Sequence, residues 1–359
     1  MAIERAKINP SDIQEIIMGC VLPAGQGQAP ARQAAIKAGV PTSTPCTTIN
    51  KVCGSGMKSV MLAHDMILAG SVNIMAAGGM ESMTNAPYLL MKARQGYRLG
   101  HGELFDHMML DGLEDAYEKG RAMGTFAEET VKQYGFTREQ QDAFSLRSFE
   151  LAKKAIAGNQ FKDEIAPITL KTKQGEQIID QDEHPFSVNP DRIPTLSPVF
   201  TKEGTITAGN ASSIADGAAA IVMMKQSEAE KRGLTPLAKI IAHQSFAKQP
   251  SEFSTAPVNA IQTLLSRLNW SVNDVDLFEI NEAFAVVPMA TMHDLAIPQD
   301  KVNVHGGAVA LGHPIGASGT RILITLISAL KQRQLKRGIA SLCIGGGEAT
   351  AMAIEIMGN

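Results

Sequence analysis

The sequence lacks any apolar run of the roughly 20 residues that a membrane-spanning helix needs. Its longest apolar run, "ILITLISAL" at 322–330, lies between Arg321 and Lys331 and is predicted to belong to a buried helix. The N-terminus shows no basic start followed by an apolar core, and the C-terminal "EIMGN" matches no address or lipidation motif. We therefore expect a cytoplasmic protein with no membrane partner.

An excess of charge of one sign is also absent, as are closely spaced cysteines. The formal net charge of the 359 residues is -3, which gives no indication of a nucleic-acid partner. Cysteines stand at 20, 46, 53 and 343, a spacing that indicates neither a metal site nor a disulfide framework. We predict free thiols in a reducing compartment and no bound metal. Hydrophobic residues make up 44%, as in a globular chain of about two domains.

Glycine-punctuated apolar runs alternate with amphipathic segments in both halves of the chain. The runs at 12–19, 72–79, 274–280 and 338–347 are predicted strands, and the segments at 55–70 and 316–335 are predicted helices. Strand–helix–strand alternation predicts an α/β fold with parallel sheets that helices cover.

The two halves also resemble each other in sequence. "CGSGMKS" (53–59) matches "GASGTRI" (316–322) at the serine, the second glycine and the basic residue, each at a predicted helix start. One helix later, "MAAGGMES" (75–82) matches "LCIGGGEA" (342–349) at the glycine pair and the glutamate. Two matched windows favour a duplicated unit over coincidence.

The segment at about 83–210 is richer in charge, proline and polar loops and is predicted to be an inserted loop domain. It contains a predicted helix at 137–158, where Thr137 and Gln140 have capping-box spacing. "DGAAAIVMM" (216–224) is predicted to be the strand that returns to the first unit. We therefore predict an N-terminal half at 1–232, interrupted by the insertion, and a C-terminal half at 233–359.

Two cysteines and one histidine are candidates for chemistry because each lies at a strand end or a helix start. Cys53 precedes a predicted helix whose dipole and free N–H groups favour a thiolate. His313 lies in a glycine-rich loop before the matching helix, where an imidazole could accept a thiol proton. Cys343 runs into three glycines at the end of a buried strand. For each cysteine, the alternative is a small buried apolar residue.

The four stretches "NKVCGSGMKSV", "NEAFA", "GGAVALGHPIGASGTR" and "CIGGGEA" together resemble, in the same order, the signature blocks of the thiolases. "TAGNASSIADGAAA" (207–220) adds a fifth stretch typical of that family. The resemblance covers essentially the whole chain. It implies a thiolase fold, in which duplicated βαβ units form a layered α-β-α-β-α core.

The resemblance also implies reversible transfer of an acyl group between coenzyme A thioesters. Cys53 would be the acylated nucleophile, His313 its base, and Cys343 the acid and base for the α-carbon and the leaving thiol. Asn281 would hold a water that, with His313, forms one oxyanion hole. The N–H groups of Cys53 and Gly345 would form the other, and each such donor is typically worth ~3 kcal/mol.

Coenzyme A thioesters would bind as substrates, with no permanently bound cofactor. Ser245 matches a serine that contacts the pantetheine arm, and Met123 matches a methionine near the reactive end. Family habit further implies a homodimer or a homotetramer, with 94–109 as the tetramer loop.

The chain departs from the family pattern in three places. Typical members begin roughly 35 residues earlier, and we expect the strand from that segment to be central, so that its loss would open the hydrogen-bond ladder. Ala122 and Ser197 replace a histidine and an arginine that are common in biosynthetic members, which should weaken contacts to coenzyme A.

Two other functions remain open from the sequence. A β-ketoacyl synthase shares the fold and a nucleophilic cysteine but uses two histidines, where this chain offers His313 and Cys343. A thiolase-fold protein without activity, kept for binding or impaired by its short N-terminus, is the other alternative.

Overall fold

The strands of the protein form two central sheets and two small hairpins in the computed structural model, which describes residues 1–173 and 175–357. In chain order the strands are β1 (Glu15–Gly19), β2 (Cys46–Ile49), β3 (Ile74–Ser82), β4 (Tyr88–Leu90), β5 (Leu104–Asp106), β6 (Ile168–Thr172), β7 (Gly175–Ile179), β8 (Asp216–Met224), β9 (Ala238–Ala247), β10 (Leu277–Ile280), β11 (Arg337–Ile344) and β12 (Glu348–Ile356).

The α-helices include all those predicted from the sequence. In chain order they are α1 (Ala2–Arg5), α2 (Pro30–Lys37), α3 (Ser55–Leu68), α4 (Met123–Tyr134), α5 (Arg138–Ala157), α6 (His184–Ser187), α7 (Gln226–Lys231), α8 (Ala256–Leu268), α9 (Val286–Leu295), α10 (Ala308–Leu311) and α11 (Ser318–Gln332). Within the described parts of the chain, none of these helices has the length and apolarity to cross a membrane. The capping box of α5 is confirmed, because Thr137 and Gln140 exchange hydrogen bonds.

The first sheet has the strand order β2-β1-β3-β8. Strand β1 pairs in parallel with both β2 and β3, and β8 returns antiparallel to β3. The expectation that a central strand is missing is therefore wrong, because β1 and β3 lie side by side with a continuous register. Among the described strands, the positions without a neighbour are the two outer edges of the sheet, on β2 and on β8.

The second sheet has the order β10-β11-β12-β9 and repeats this pattern. A parallel pair, β10 and β11, is followed by antiparallel β12, just as β1 and β3 are followed by β8. The prediction of purely parallel sheets is wrong for β8, β9 and β12. The physical reason is clearest at β12, which follows β11 after a turn of only three glycines, too short for a parallel crossover.

Helices α3 and α11 lie between the two sheets, which gives the predicted α-β-α-β-α layers. Their buried side chains share one core with residues of both sheets, among them Met75 and Leu342. Successive residues of β1 point to opposite faces, so that Ile17 joins this central core while Ile16 packs under α2 on the outer face. The outer face of the second sheet packs against α8 and α9, and the insertion contributes α4 to that core.

Small residues let the starts of α3 and α11 touch directly. A Cβ atom on Gly56 would lie 3.0 Å from the carbonyl oxygen of Ala317, and the hydroxyl of Thr320 donates to the Gly56 carbonyl at 2.8 Å. The residues that precede these two helices, Cys53 and His313, therefore belong to the same end of the layered core.

Candidate active site

Cys53 sits in a tight turn between β2 and α3. Val52, directly before it, has a φ of 45°, which is a strained conformation for a β-branched residue. The turn is held by the Asn50 side chain, which accepts from the Val52 N–H at 2.8 Å, and by the Ser55 hydroxyl, which donates to the Val52 carbonyl at 2.7 Å. Because both contacts fix Val52, the turn places Cys53 immediately before the helix start.

The sulfur of Cys53 is surrounded by protein rather than by water. Burial raises the pKa of the Cys53 thiol to about 11, although the N–H groups of Gly345 and of Cys53 itself bond to the sulfur and oppose the shift. The expectation that the helix start favours a resting thiolate is therefore wrong, because desolvation outweighs the local dipoles. To act as a nucleophile, such a thiol would first have to lose its proton to a base.

We expect the alkylation of Cys53 by iodoacetamide to keep accelerating as the pH rises. With a thiol pKa near 11, the thiolate fraction grows about tenfold per pH unit between pH 7 and 9, with no plateau. Peptide mapping of alkylated Cys53 over time would measure this rate. A plateau below pH 8 would show a resting thiolate and contradict the burial argument.

Cys343 lies at the end of β11, before the hairpin formed by Gly345, Gly346 and Gly347. The last two glycines have φ values of 90° and 88°, in the left-handed region that other residues avoid. Burial first, and then the charge of Cys53 when ionised, raise the pKa of Cys343 well above its ordinary value. That electrostatic coupling indicates that the two thiols are near neighbours.

The loops of the two cysteines are also joined by direct contacts. Lys51, in the turn that holds Cys53, forms an ion pair with Glu348, the first residue of β12. The Gly345 position faces the side chains of Met123, at 3.5 Å, and Val52, at 3.6 Å, measured from an ideal Cβ. The structure thus brings Cys53, Cys343, Gly345 and Met123 together.

His313 is buried and held as one tautomer by Ser318. The Ser318 hydroxyl donates to the Pro314 carbonyl at 2.9 Å, so it accepts from Nδ1–H of His313 at 2.6 Å. This assignment leaves a lone pair on Nε2. Burial and the positive charge of Arg321 lower the pKa of His313 to about 3, so the ring is neutral near pH 7.

Asn281 lies beside that ring. Its Nδ2 atom is 3.4 Å from Nε2 and 3.5 Å from Nδ1 of His313, and its Oδ1 atom is buried with no partner among the described residues. A buried, unpartnered oxygen is costly unless water reaches it. The position fits the predicted role of Asn281 in holding a water beside His313.

Glu282 explains why the apolar stretch "NEAFAVVPM" begins with polar side chains. Its buried carboxylate accepts hydrogen bonds from the Ser148 hydroxyl at 2.7 Å and the Asn303 amide at 2.8 Å. It also accepts from the Val309 N–H at 3.1 Å, in the segment that leads to His313. Asn281 therefore contacts the His313 ring, while Glu282 fixes the segment of chain that leads to His313.

Sequence reasoning missed Ser318 and Ser213. Ser213 accepts the His313 N–H through its carbonyl at 3.0 Å, which ties the 207–220 stretch to the histidine loop. The available signal for Ser318 was its place in the first turn of α11, five residues after His313. Of the two residues predicted to contact coenzyme A, Met123 lies at the thiols, whereas Ser245 lies in β9 opposite Thr350.

Replacing Ser318 with alanine should lower kcat without changing KM for the coenzyme A thioester that the resemblance implies as substrate. Without its acceptor, the His313 ring loses the tautomer that leaves Nε2 free, and we expect a loss of about tenfold to a hundredfold. The matched control is Ser59→Ala on α3, a buried serine that bonds only to the Gly56 and Gly78 carbonyls. Equal losses of kcat in both variants would show a merely structural role.

Two family models match the chain along nearly all its length. The thiolase N-terminal domain matches residues 1–227, and the thiolase C-terminal domain matches residues 234–356. Acetyl-CoA acetyltransferases from Syntrophomonas wolfei and Cupriavidus necator are each 47% identical to the chain. Each alignment covers 99% of this chain, and 91% and 90% of the relatives.

Solved structures agree with the sequence relatives. The Acat5 thiolase from Ascaris suum in complex with coenzyme A is 41% identical, with a TM-score of 0.93 over 99% of this chain and 91% of that chain. The Bacillus anthracis acetyl-CoA acetyltransferase is also 41% identical, with a TM-score of 0.95 over 99% of this chain and 90% of that chain. Together with the paired thiols and the histidine at the same end of the core, these matches establish that the chain belongs to the thiolase family.

Proposed function

We propose that the chain is an acetyl-CoA C-acetyltransferase, which condenses two acetyl-CoA into acetoacetyl-CoA and coenzyme A and also catalyses the reverse thiolysis. The observation that carries this proposal is the pair of thiols, half-buried Cys53 and buried Cys343, with the Gly345 N–H directed at the first sulfur. One thiol can hold an acyl group while the other moves protons.

In the first half-reaction, the Cys53 thiol gives its proton to Nε2 of His313. The sulfur attacks the thioester carbonyl of acetyl-CoA, and the N–H groups of Cys53 and Gly345 stabilise the oxyanion. The bond from carbon to the coenzyme A sulfur then breaks, and Cys343 protonates the leaving sulfur. Acetyl-Cys53 and free coenzyme A result, with Cys343 left as a thiolate.

In the second half-reaction, the Cys343 thiolate takes a proton from the α-carbon of a second acetyl-CoA. Its formation becomes easier once Cys53 is acylated, because acylation removes the negative charge that raises the pKa of Cys343. His313 and the water on Asn281 stabilise the enolate oxygen. The enolate carbon attacks acetyl-Cys53, acetoacetyl-CoA forms, and the Cys53 sulfur recovers its proton from His313.

We propose that Met123 contacts the reactive end of coenzyme A and that Ser245 contacts the pantetheine arm. The position of Met123 beside Gly345 supports the first assignment. The chain's own thiols and imidazole carry every bond change, so that no permanently bound cofactor is needed. The relatives' printed names and the coenzyme A complex of the Ascaris suum thiolase support acetyl-CoA as the substrate.

We further propose a homodimer or homotetramer in the cytoplasm, with halves at 1–232 and 233–359 and the insertion at about 83–210. The four free cysteines are compatible with a reducing compartment. The segment that contains the predicted tetramer loop, 94–109, exposes large apolar side chains, which is typical of an association surface. These side chains are Tyr97, Leu99, Leu104, Phe105 and Met109.

A β-ketoacyl synthase is not favoured, because a thiol, Cys343, stands where such an enzyme needs a second histidine. The test of the proposal is thiolysis of acetoacetyl-CoA by the purified full chain with added coenzyme A. Two molecules of acetyl-CoA should form for each acetoacetyl-CoA consumed. A monodisperse, folded chain that forms no acetyl-CoA would overturn the proposal in favour of an inactive thiolase-fold protein.

A further inference from the structure

A second group of reactive side chains lies outside the thiol site, where α3 approaches β9. His64 and Asp65 are consecutive residues on α3, and His243 comes from β9 in the C-terminal half. One ligand atom from each residue lies within 4.8 Å of the other two. Both histidines are half-buried and Asp65 is exposed, so that the cluster opens to solvent.

The distances within this cluster suit a small metal ion. The Asp65 Oδ1 atom is 2.9 Å from Nε2 of His243 and 3.7 Å from Nδ1 of His64. A tetrahedral ion with bonds of about 2 Å holds its ligand atoms about 3.3 Å apart, between these two values.

A second observation separates this cluster from an ordinary histidine–aspartate pair. Nδ1 of His64 is buried and has no hydrogen-bond partner among the described residues, although it faces the cluster. A buried, unpartnered polar atom is costly unless something binds it.

We propose that His64, Asp65 and His243 bind Zn²⁺ or a similar divalent transition metal, with water as the fourth ligand. Two imidazoles and one carboxylate form a ligand set typical of zinc and unsuited to calcium or magnesium. The sequence-based expectation of no metal considered cysteine spacing, whereas these ligands meet only through the fold.

The proposed ion would join the two halves of the chain. Helix α3 begins just after Cys53, while β9 is the edge strand of the second sheet. A metal bound to both elements adds a cross-link that the unfolded chain does not have. At a zinc concentration about a hundredfold above Kd, the thermal midpoint should rise by about 3–4 °C.

One nearby charge opposes the ion. Arg267 donates to the His243 carbonyl at 3.2 Å, and its charge contributes to the lowered pKa of His64. The Asp65 carboxylate offsets one positive charge, so that the site would be weaker than a zinc site with two anionic ligands. We therefore expect binding that a strong chelator reverses.

The experiment must separate this site from Cys53 and Cys343, because thiolates are also zinc ligands. Metal-free full-length chain that carries Cys53→Ser and Cys343→Ser is titrated with Zn²⁺ by calorimetry and should bind one ion. Adding His64→Ala or His243→Ala should weaken that binding at least about tenfold. Co²⁺ should give the visible absorption bands of a tetrahedral site in the unaltered chain. These bands should persist in the chain that carries Cys53→Ser and Cys343→Ser, without any charge-transfer band from a thiolate.

The matched control is His293→Ala, which removes a histidine that also bonds to an aspartate, Asp294, at 2.9 Å. Binding should be unchanged in this variant. Thermal midpoints without metal show whether each variant is folded, and His64→Gln replaces His64→Ala if the latter is not. The proposal is overturned if the two-serine chain binds no zinc, or if zinc binds equally well without His64 and His243.

Discussion

Replacing Cys53 with alanine is expected to lower the rate of acetyl transfer at least about 10⁴-fold in both directions. Without the sulfur no acyl-enzyme forms, and Cys343 does not take its place, because burial keeps that thiol protonated and the N–H groups of Gly345 and Cys53 point elsewhere. Steady-state thiolysis of acetoacetyl-CoA measures the effect.

The control for this variant is Cys46→Ala in β2. Cys46 is also a free, half-buried thiol, whose sulfur bonds to the Thr44 carbonyl at 3.4 Å and to the Arg32 side chain. We expect its turnover to stay within about twofold of the unaltered chain. Turnover by Cys53→Ala above about a hundredth of that rate would mean that the nucleophile is another group.

Replacing Cys343 with serine should separate the two half-reactions. Acylation of Cys53 should continue at a reduced rate, because His313 still accepts its proton, the oxyanion donors are intact, and the coenzyme A sulfur can leave as a thiolate without the proton from Cys343. Condensation and thiolysis should fall by about 10²–10⁴-fold, because a hydroxyl transfers the carbon-bound proton far less readily than a thiol.

Rapid-quench measurement of acetyl-enzyme formation, beside steady-state turnover, resolves the two effects. Cys46→Ser serves as the control for a thiol-to-hydroxyl change away from the site. Loss of acylation together with turnover in Cys343→Ser would show that the first half-reaction itself depends on Cys343 and would contradict the expected separation. Near-normal turnover would show that another base acts on the α-carbon.

The fold was predictable where hydrophobic patterns are strong. Strands β1, β3, β10 and β11 and helices α3 and α11 follow from glycine-bounded apolar runs and helical spacing. Strand β12 was missed because "EATAMAIEI" is rich in alanine and carries little of the β-branched character that marks a strand. The position of β1 beside β3 was missed because sheet order depends on long-range packing.

The candidate site was predictable in its residues but not in its electrostatics. Strand ends and helix starts indicated Cys53, His313 and Cys343, and the structure places all three at one end of the core. The local dipole argument gave the wrong direction for the Cys53 pKa, since burial by distant segments is not visible in a short motif. His64 and His243 meet only in three dimensions, so sequence spacing gave no signal for that cluster.

The most direct test of the account is the location of the acetyl group after acetyl-CoA is mixed with the unaltered chain. Peptide mass mapping of acid-quenched protein should find acetylation on the peptide that contains Cys53, lost on addition of coenzyme A. A stable, chemically competent acetyl group on Cys20, Cys46 or Cys343, with Cys53 unmodified, would contradict the proposed mechanism.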